Sequence, residues 1–425
     1  MLLYEHDIVN FFADKEIDIR KTGNARWIDQ KCTADVVCAI ADCVAQYIQE
    51  AESPDIEFNS RDIWFSRYSV DFVQNVFKKP NPEKTEAKNE YDKFFMQPLE
   101  LLASAGVLSK RKQGTRNIYK VANQDILNYI AFRERDALTF LYHYITKVLT
   151  DSGIIKLFND FFNKQDKASY HAVKKAFAAF TKKYTPINGD TECNRIFIKV
   201  INPLAYKKNS KGTERGHMST DLITFDMLMY NRDNFRDVYT GKPKSLTRKE
   251  SAQIADQNDP NESYLRYSIE KAKRQLQKYV KDVYNWMTEY REAHHVLDNA
   301  TQIHHIFPES NYPKIANYLE NLIALTPTQH LCYAHPNNNT HVIDPNYQYL
   351  LLIAKMNRIR EYLDANKDVP EDECFYTFKG FVTVLATGFE RPEIADELMD
   401  GKWTDALRVI NVHYNKDPNA SPQVD

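Results

Sequence analysis

The stretch from Thr301 to Pro336, TQIHHIFPESNYPKIANYLENLIALTPTQHLCYAHP, constrains this chain more than any other. It opens on the adjacent pair His304 and His305; Asn321 and then His330 follow. The pattern predicts a strand over Thr301–Phe307, a loop broken by Pro308 and Pro313, a second strand over Asn321–Leu325 and a short helix. Thr326 or Thr328 would cap that helix and Pro336 would end it. Such a layout sets one imidazole of the first strand beside one from the helix, a pairing that suits a divalent cation. The other strand imidazole is then left to act as a base.

At these residues the sequence resembles the HNH, or ββα-metal, endonuclease family. His-His-Ile-Phe-Pro is similar to the family's first-strand segment, in which a metal ligand precedes the catalytic histidine. Asn321-Leu-Ile-Ala-Leu matches the asparagine that opens the second strand, and His330 falls at the family's final histidine. The resemblance implies that His304 binds metal, His305 is the general base, Asn321 fixes the loop between the strands and His330 is a second ligand. It covers Thr301–Pro336 alone. Several members carry a further ligand four residues after the last histidine, where this chain has Ala334; His335 lies one step further round and is the weaker candidate. Two or three protein ligands are therefore expected. The implied cation is Mg2+, with Mn2+ or Zn2+ as the other candidates.

An adjacent histidine pair alone is ordinary surface or core chemistry. The asparagine and the third histidine at their spacings separate this pair from that background. His294 and His295 read as helix-end caps or surface residues, His341 as loop, and Cys332 as a small core filler among apolar neighbours.

A chain of 425 residues is too long for one core, so several domains are expected. We place a helical, winged-helix-like region at 1–140, a helical connector with a basic loop at 141–260, and the nuclease motif with its supporting helices at 261–425. The fold class is α+β, mostly helical and multi-domain. With 56 basic and 58 acidic residues there is no global cationic signature, so a DNA-binding face must be local. The six cysteines contain no CxxC pair, which argues against a zinc ribbon or a disulfide framework. No long apolar run suggests a membrane span, and a cytoplasmic setting is the default expectation.

Thr33 can cap a helix over Ala34–Gln49, and further helices are predicted over Ser60–Phe77 and Asn89–Leu108. Ser109–Val121 reads as a hairpin carrying Lys110, Arg111, Lys112 and Arg116, followed by a helix from Gln124 capped by Asn123. Helices, basic hairpin, helix is the order of a winged-helix module, whose wing cations meet phosphates. Residues 136–184 read as helical, Arg195–Ile201 as β-rich, and 206–219 as a loop bearing Lys207, Lys208, Lys211 and Arg215. That loop and the segment from Asn231 to Lys249 are the second candidate DNA surface. A long helix over Asn261–Tyr290 leads into the motif, and an amphipathic helix over Tyr347–Leu363 is expected to buttress it.

The expected activity is hydrolysis of a phosphodiester in double-stranded DNA, with His305 as base and the cation as Lewis acid. There is no GxxxxGK[ST] loop, so no ATP-driven motor is expected. One nuclease motif behind candidate DNA-reading modules resembles the layout of a bacterial HNH-type type II restriction endonuclease. That resemblance implies a homodimer, a palindromic target and a cognate methyltransferase acting on the same sequence. A homing nuclease or a colicin-like killing domain would use the same site. A winged-helix regulator with a purely structural metal site is the non-enzymatic alternative.

Overall fold

The structure, a computed structural model, describes all residues except 1, 54, 78, 80, 84–87, 231–259, 292–297, 336–342, 399 and 419–425. It is mostly helical, with three separate two-stranded antiparallel sheets among the described residues, and so belongs to the α+β class. Two compact units emerge, residues 5–260 and residues 1–4 with 261–425; residues on both sides of position 140 share the first unit. No described helix is long and apolar enough to cross a membrane. His294, His295, His341 and the Asn231–Lys249 segment lie outside the described residues.

The first unit runs α1 (Glu5–Ala13), α2 (Ile19–Thr22), α3 (Ala34–Glu50), α4 (Ser60–Trp64), α5 (Arg67–Phe77) and α6 (Lys88–Ser104). The hairpin β1–β2 (Leu108–Gln113 and Arg116–Val121) follows. After it come α7 (Gln124–Phe132), α8 (Glu134–Asp151), α9 (Ile155–Lys164), α10 (Lys167–Tyr184), α11 (Asp190–Lys207) and a second hairpin, β3–β4 (Lys211–Glu214 and His217–Leu222). The centre of this unit is α3, buried from Ala34 to Val44 and packed on α7 and α8. Where one helix was expected over Ser60–Phe77 there are two. Asn59 and Asp62 form a reciprocal capping box at the start of α4, and the chain restarts at Ser66, whose hydroxyl accepts from the Ser69 N–H. Gly106, at φ +77°, closes the turn after α6.

The β-rich reading of Arg195–Ile201 is overturned: these residues lie inside α11. Their branched side chains favour strand locally, but Cys193, Ile196, Phe197, Val200, Ile201 and Leu204 recur at three- and four-residue spacing and are all buried. Packing of that stripe against α8 and α10 outweighs the few tenths of a kcal/mol per residue that β-branched side chains cost a helix, ~0.5 kcal/mol each. The expected loop at 206–219 is accordingly the end of α11 and the β3–β4 hairpin. Asn202 pins that hairpin: its Nδ2 donates to Thr213 O (2.9 Å) and its Oδ1 accepts from the Thr213 N–H (2.8 Å).

The second unit opens with α12 (Pro260–Tyr284), which stops short of the expected Tyr290. Asn285 and Trp286 adopt left-handed backbone, φ +48° and +64°, and turn the chain back. Strands β5 (Gln302–His305) and β6 (Leu322–Leu325) follow, then a short π-helical turn (Gln329–Ala334), α13 (Pro345–Ala365), α14 (Phe378–Gly388), α15 (Ile394–Glu397) and α16 (Trp403–His413). The Asp344 side chain caps α13 through the Tyr347 N–H (2.8 Å), with Pro345 in the first turn. Two strands of four residues cannot bury a core of their own, so α13 and α14 supply it. Gly388 of α14 lies so near the Phe307 ring that any Cβ there would collide with it.

A candidate metal centre on a strand pair and a π-helical turn

The two strands pair antiparallel with His304 opposite Ile323 and His305 opposite Leu322. Successive strand residues point to opposite faces, so the two histidines separate in role before any ligand is considered. His304 is 3% exposed and faces His330 and His335, with ring centroids 5.3 and 5.0 Å away; the latter two lie 5.0 Å from each other. One ring nitrogen from each of the three lies within 4.8 Å of the others.

His335 completes a cluster that could hold a metal ion and is the member the sequence undervalued, and the helix explains why. In an α-helix, position i+4 returns to within about 40° of its start, whereas i+5 overshoots the turn by about 140°. That arithmetic selects Ala334. The segment Gln329–Ala334 is instead wound as a π-helix, whose hydrogen bonds span five residues, and His335 follows as its C-cap in extended backbone (φ −117°, ψ 98°), which brings it back toward the face of His330. His330 and His335 therefore converge. The opposite side of the same turn presents Leu331, Cys332 and Tyr333 to solvent, so Cys332 is exposed and not the core filler its neighbours suggested.

The electrostatics suit lone-pair donation. Burial, then the neighbouring histidines, holds His304 well below the usual imidazole range, and burial followed by His335 lowers His330. His304 Nε2 and His330 Nδ1 are buried without a hydrogen-bond partner, a costly condition unless something else takes their lone pairs. The donor set fits a metal. Three imidazoles are what Zn2+ and related transition ions take, whereas Mg2+ asks for oxygen ligands in an octahedron.

His305 stands apart from this trio. Its Nε2–H donates to the Ala316 carbonyl (2.9 Å), leaving the lone pair on Nδ1. Burial and then the nearby Lys273 lower its pKa, partly offset by that carbonyl, so the ring is neutral at neutral pH. Ala316 belongs to the loop that Asn321 organises. The fully buried Asn321 accepts the Phe307 N–H on Oδ1 (2.8 Å) and donates from Nδ2 to Phe307 O (3.0 Å) and Ile315 O (3.3 Å). Its carbonyl also accepts the Ile306 N–H (2.9 Å). The asparagine thus ties down Ile306, Phe307 and Ile315, the last of them the residue before the carbonyl that orients His305.

The basic candidates are more compromised. Lys110 pairs with buried Glu100 (2.7 Å), Arg111 makes a two-point contact with Glu57 (2.8 and 2.5 Å), and Lys207 reaches Glu5 (3.3 Å). Lys208 lies over the Phe162 ring, Arg215 leans toward Glu214 (3.9 Å) at φ +49°, and Lys211 is half-buried on β3. Lys112 and Arg116 are exposed near the tip of the first hairpin. Sequence alone could not show which cations the neighbouring carboxylates occupy, because Glu57 and Glu100 are distant along the chain. Comparison of the chain with protein families, with characterised proteins and with solved structures returns no match.

Proposed function

We propose that this chain is a metal-dependent endonuclease that hydrolyses phosphodiesters in double-stranded DNA. The observation that carries the reading is a three-histidine cluster, two members buried and His330 half-buried, next in sequence to a neutral histidine whose tautomer is set by a backbone carbonyl. His305 Nδ1 would accept the proton of the attacking water while the Ala316 carbonyl keeps Nε2–H in place and steadies the imidazolium that forms. A cation held by His304, His330 and His335 would supply Lewis-acid stabilisation of charge developing on the phosphate. The imidazole set favours Zn2+ over the Mg2+ expected from the sequence.

Three protein ligands also bear on the non-enzymatic alternative. Structural zinc sites are closed by four ligands, whereas catalytic sites keep three and leave one position for water or substrate; the described residues supply three. For DNA reading, α3, α4, α5 and α6 lead into the β1–β2 hairpin, and a backbone bridge from Phe58 to Tyr119 adds a third segment to it. That order supports a winged-helix module whose remaining phosphate contacts centre on Lys112 and Arg116. The restriction type, a homodimer cutting a palindrome protected by a cognate methyltransferase, is the form we propose.

Metal-stripped protein incubated with plasmid DNA and Zn2+, Mn2+ or Mg2+ tests this. Discrete fragments that vanish with a chelator support the reading. A gel shift with no cutting under any of the three ions would leave a DNA-binding regulator in its place.

A further inference from the structure

The geometry points to Gln329 as the positioning residue of the metal centre: it fixes the start of the π-helical turn and so the placement of His330 and His335 relative to His304. The inference rests on the metal reading above and adds a residue that touches neither cation nor substrate. Gln329 is fully buried. Its Oε1 accepts the Thr326 N–H (3.0 Å), and its own N–H donates to Thr326 Oγ1 (3.2 Å). These two bonds are a capping box, threonine and glutamine three residues apart. The side chain does more than cap. Oε1 also accepts the Thr288 hydroxyl (2.7 Å), and Nε2 donates to Tyr290 O (2.8 Å).

Residues 288–290 in turn hold the second strand. The Glu289 N–H donates to Ala324 O (3.2 Å) and the Ala324 N–H donates to Glu289 Oε1 (3.1 Å), while Ala324 pairs with Ile303, the neighbour of His304. One amide therefore ties the strand pair that presents His304 to the turn that presents His330 and His335. The role requires an acceptor and a donor on one side chain: leucine has neither, and glutamate cannot donate to Tyr290 O.

The test is metal binding, read without DNA. Wild-type protein, Gln329→Leu, Thr288→Val and Thr326→Ser are stripped of metal, shown to be folded by thermal melting, and titrated with Zn2+ against a chelating dye and with Co2+ by visible absorption. Groups that orient metal ligands typically cost ~10–100-fold in affinity when removed. Gln329→Leu should lose that much and shift the Co2+ bands; Thr288→Val should lose less in the same direction. Thr326→Ser keeps the hydroxyl and should match wild type. A purely structural role would lower the melting temperature and leave affinity and Co2+ spectrum unchanged. That result in Gln329→Leu, or in Thr288→Val if the leucine variant does not fold, overturns the assignment. Wild-type protein that takes up neither ion would overturn the metal reading itself, and this inference with it.

Discussion

Replacing Asn321 tests whether the loop between the strands is built on one side-chain amide. In Asn321→Ala the Phe307 N–H and Phe307 O lose their partner in a fully buried place, while Ile315 O still accepts from the Tyr318 N–H (3.1 Å). Two orphaned backbone groups at ~1–3 kcal/mol each give a loss of about 2–6 kcal/mol. In a unit of this size that is roughly 4–24 °C in melting temperature. The Ala316 carbonyl should drift with the loop, so cleavage should fall further than stability alone explains. Asn321→Asp sharpens the test. Its carboxylate still accepts the Phe307 N–H but sets a charged oxygen against Phe307 O and Ile315 O. Burial and these oxygens must raise the new carboxyl's pKa in the folded state. A carboxyl raised on folding adds stability while protonated and loses it as pH rises through the folded value. Melting curves between pH 5 and 8 should therefore show the gap between Asn321→Asp and wild type widening with pH. Two variants that melt within a degree of wild type and cut at its rate would refute the reasoning.

Other outcomes follow from the same geometry. His305→Ala should lower cleavage ~10²–10⁴-fold with Zn2+ affinity unchanged, since His305 is outside the ligand cluster; an unaffected cleavage rate would remove it as base. His335→Ala should weaken Zn2+ and Co2+ binding, and Cys332→Ser, on the exposed side of the same turn, should not; equal effects in a metal titration would reject the π-helical assignment. The ion pair of fully buried Lys355 with Glu289 (3.0 Å) should give ~3–5 kcal/mol of destabilisation on Lys355→Met alone, because Glu289 is stranded. Adding Glu289→Gln should recover most of it in a chemical denaturation cycle. Asp18, held below the usual carboxylate range by the Arg20 guanidinium, contributes stability above its unfolded pKa that is lost as pH falls through the folded value. Asp18→Asn should flatten the acid side of a plot of melting temperature against pH.

Much of the second unit was legible because its signals are local. The strand pair, its alternation and the capping threonine follow from residues within a few positions of one another. Thr326 and Gln329 spell a capping box outright, T-x-x-Q, although the sequence left Thr328 as an equal candidate. What stayed hidden depends on long-range packing. Nothing near Arg195–Ile201 announces that α8 and α10 will cover one stripe of it and turn a β-rich stretch into helix. The partners of Lys110 and Arg111, and the carbonyl that sets the His305 tautomer, are likewise fixed by the folded arrangement.

The third histidine of the cluster was hidden for a different reason. A π-helical turn inserts one extra residue into a helix and is rare enough that an α-helical count is the natural first reading. Here the insertion converts an alanine position into a histidine position, and with it a two-imidazole site into a three-imidazole one. The chemistry follows from that single change of winding. With two imidazoles, most of a cation's shell would come from water and phosphate oxygens, as Mg2+ tolerates. With three, nitrogen dominates and a transition ion is favoured. On the metal reading proposed above, metal choice would be tied to backbone geometry, and the bonds of Gln329 with Thr326, Thr288 and Tyr290 would be what holds that turn in place.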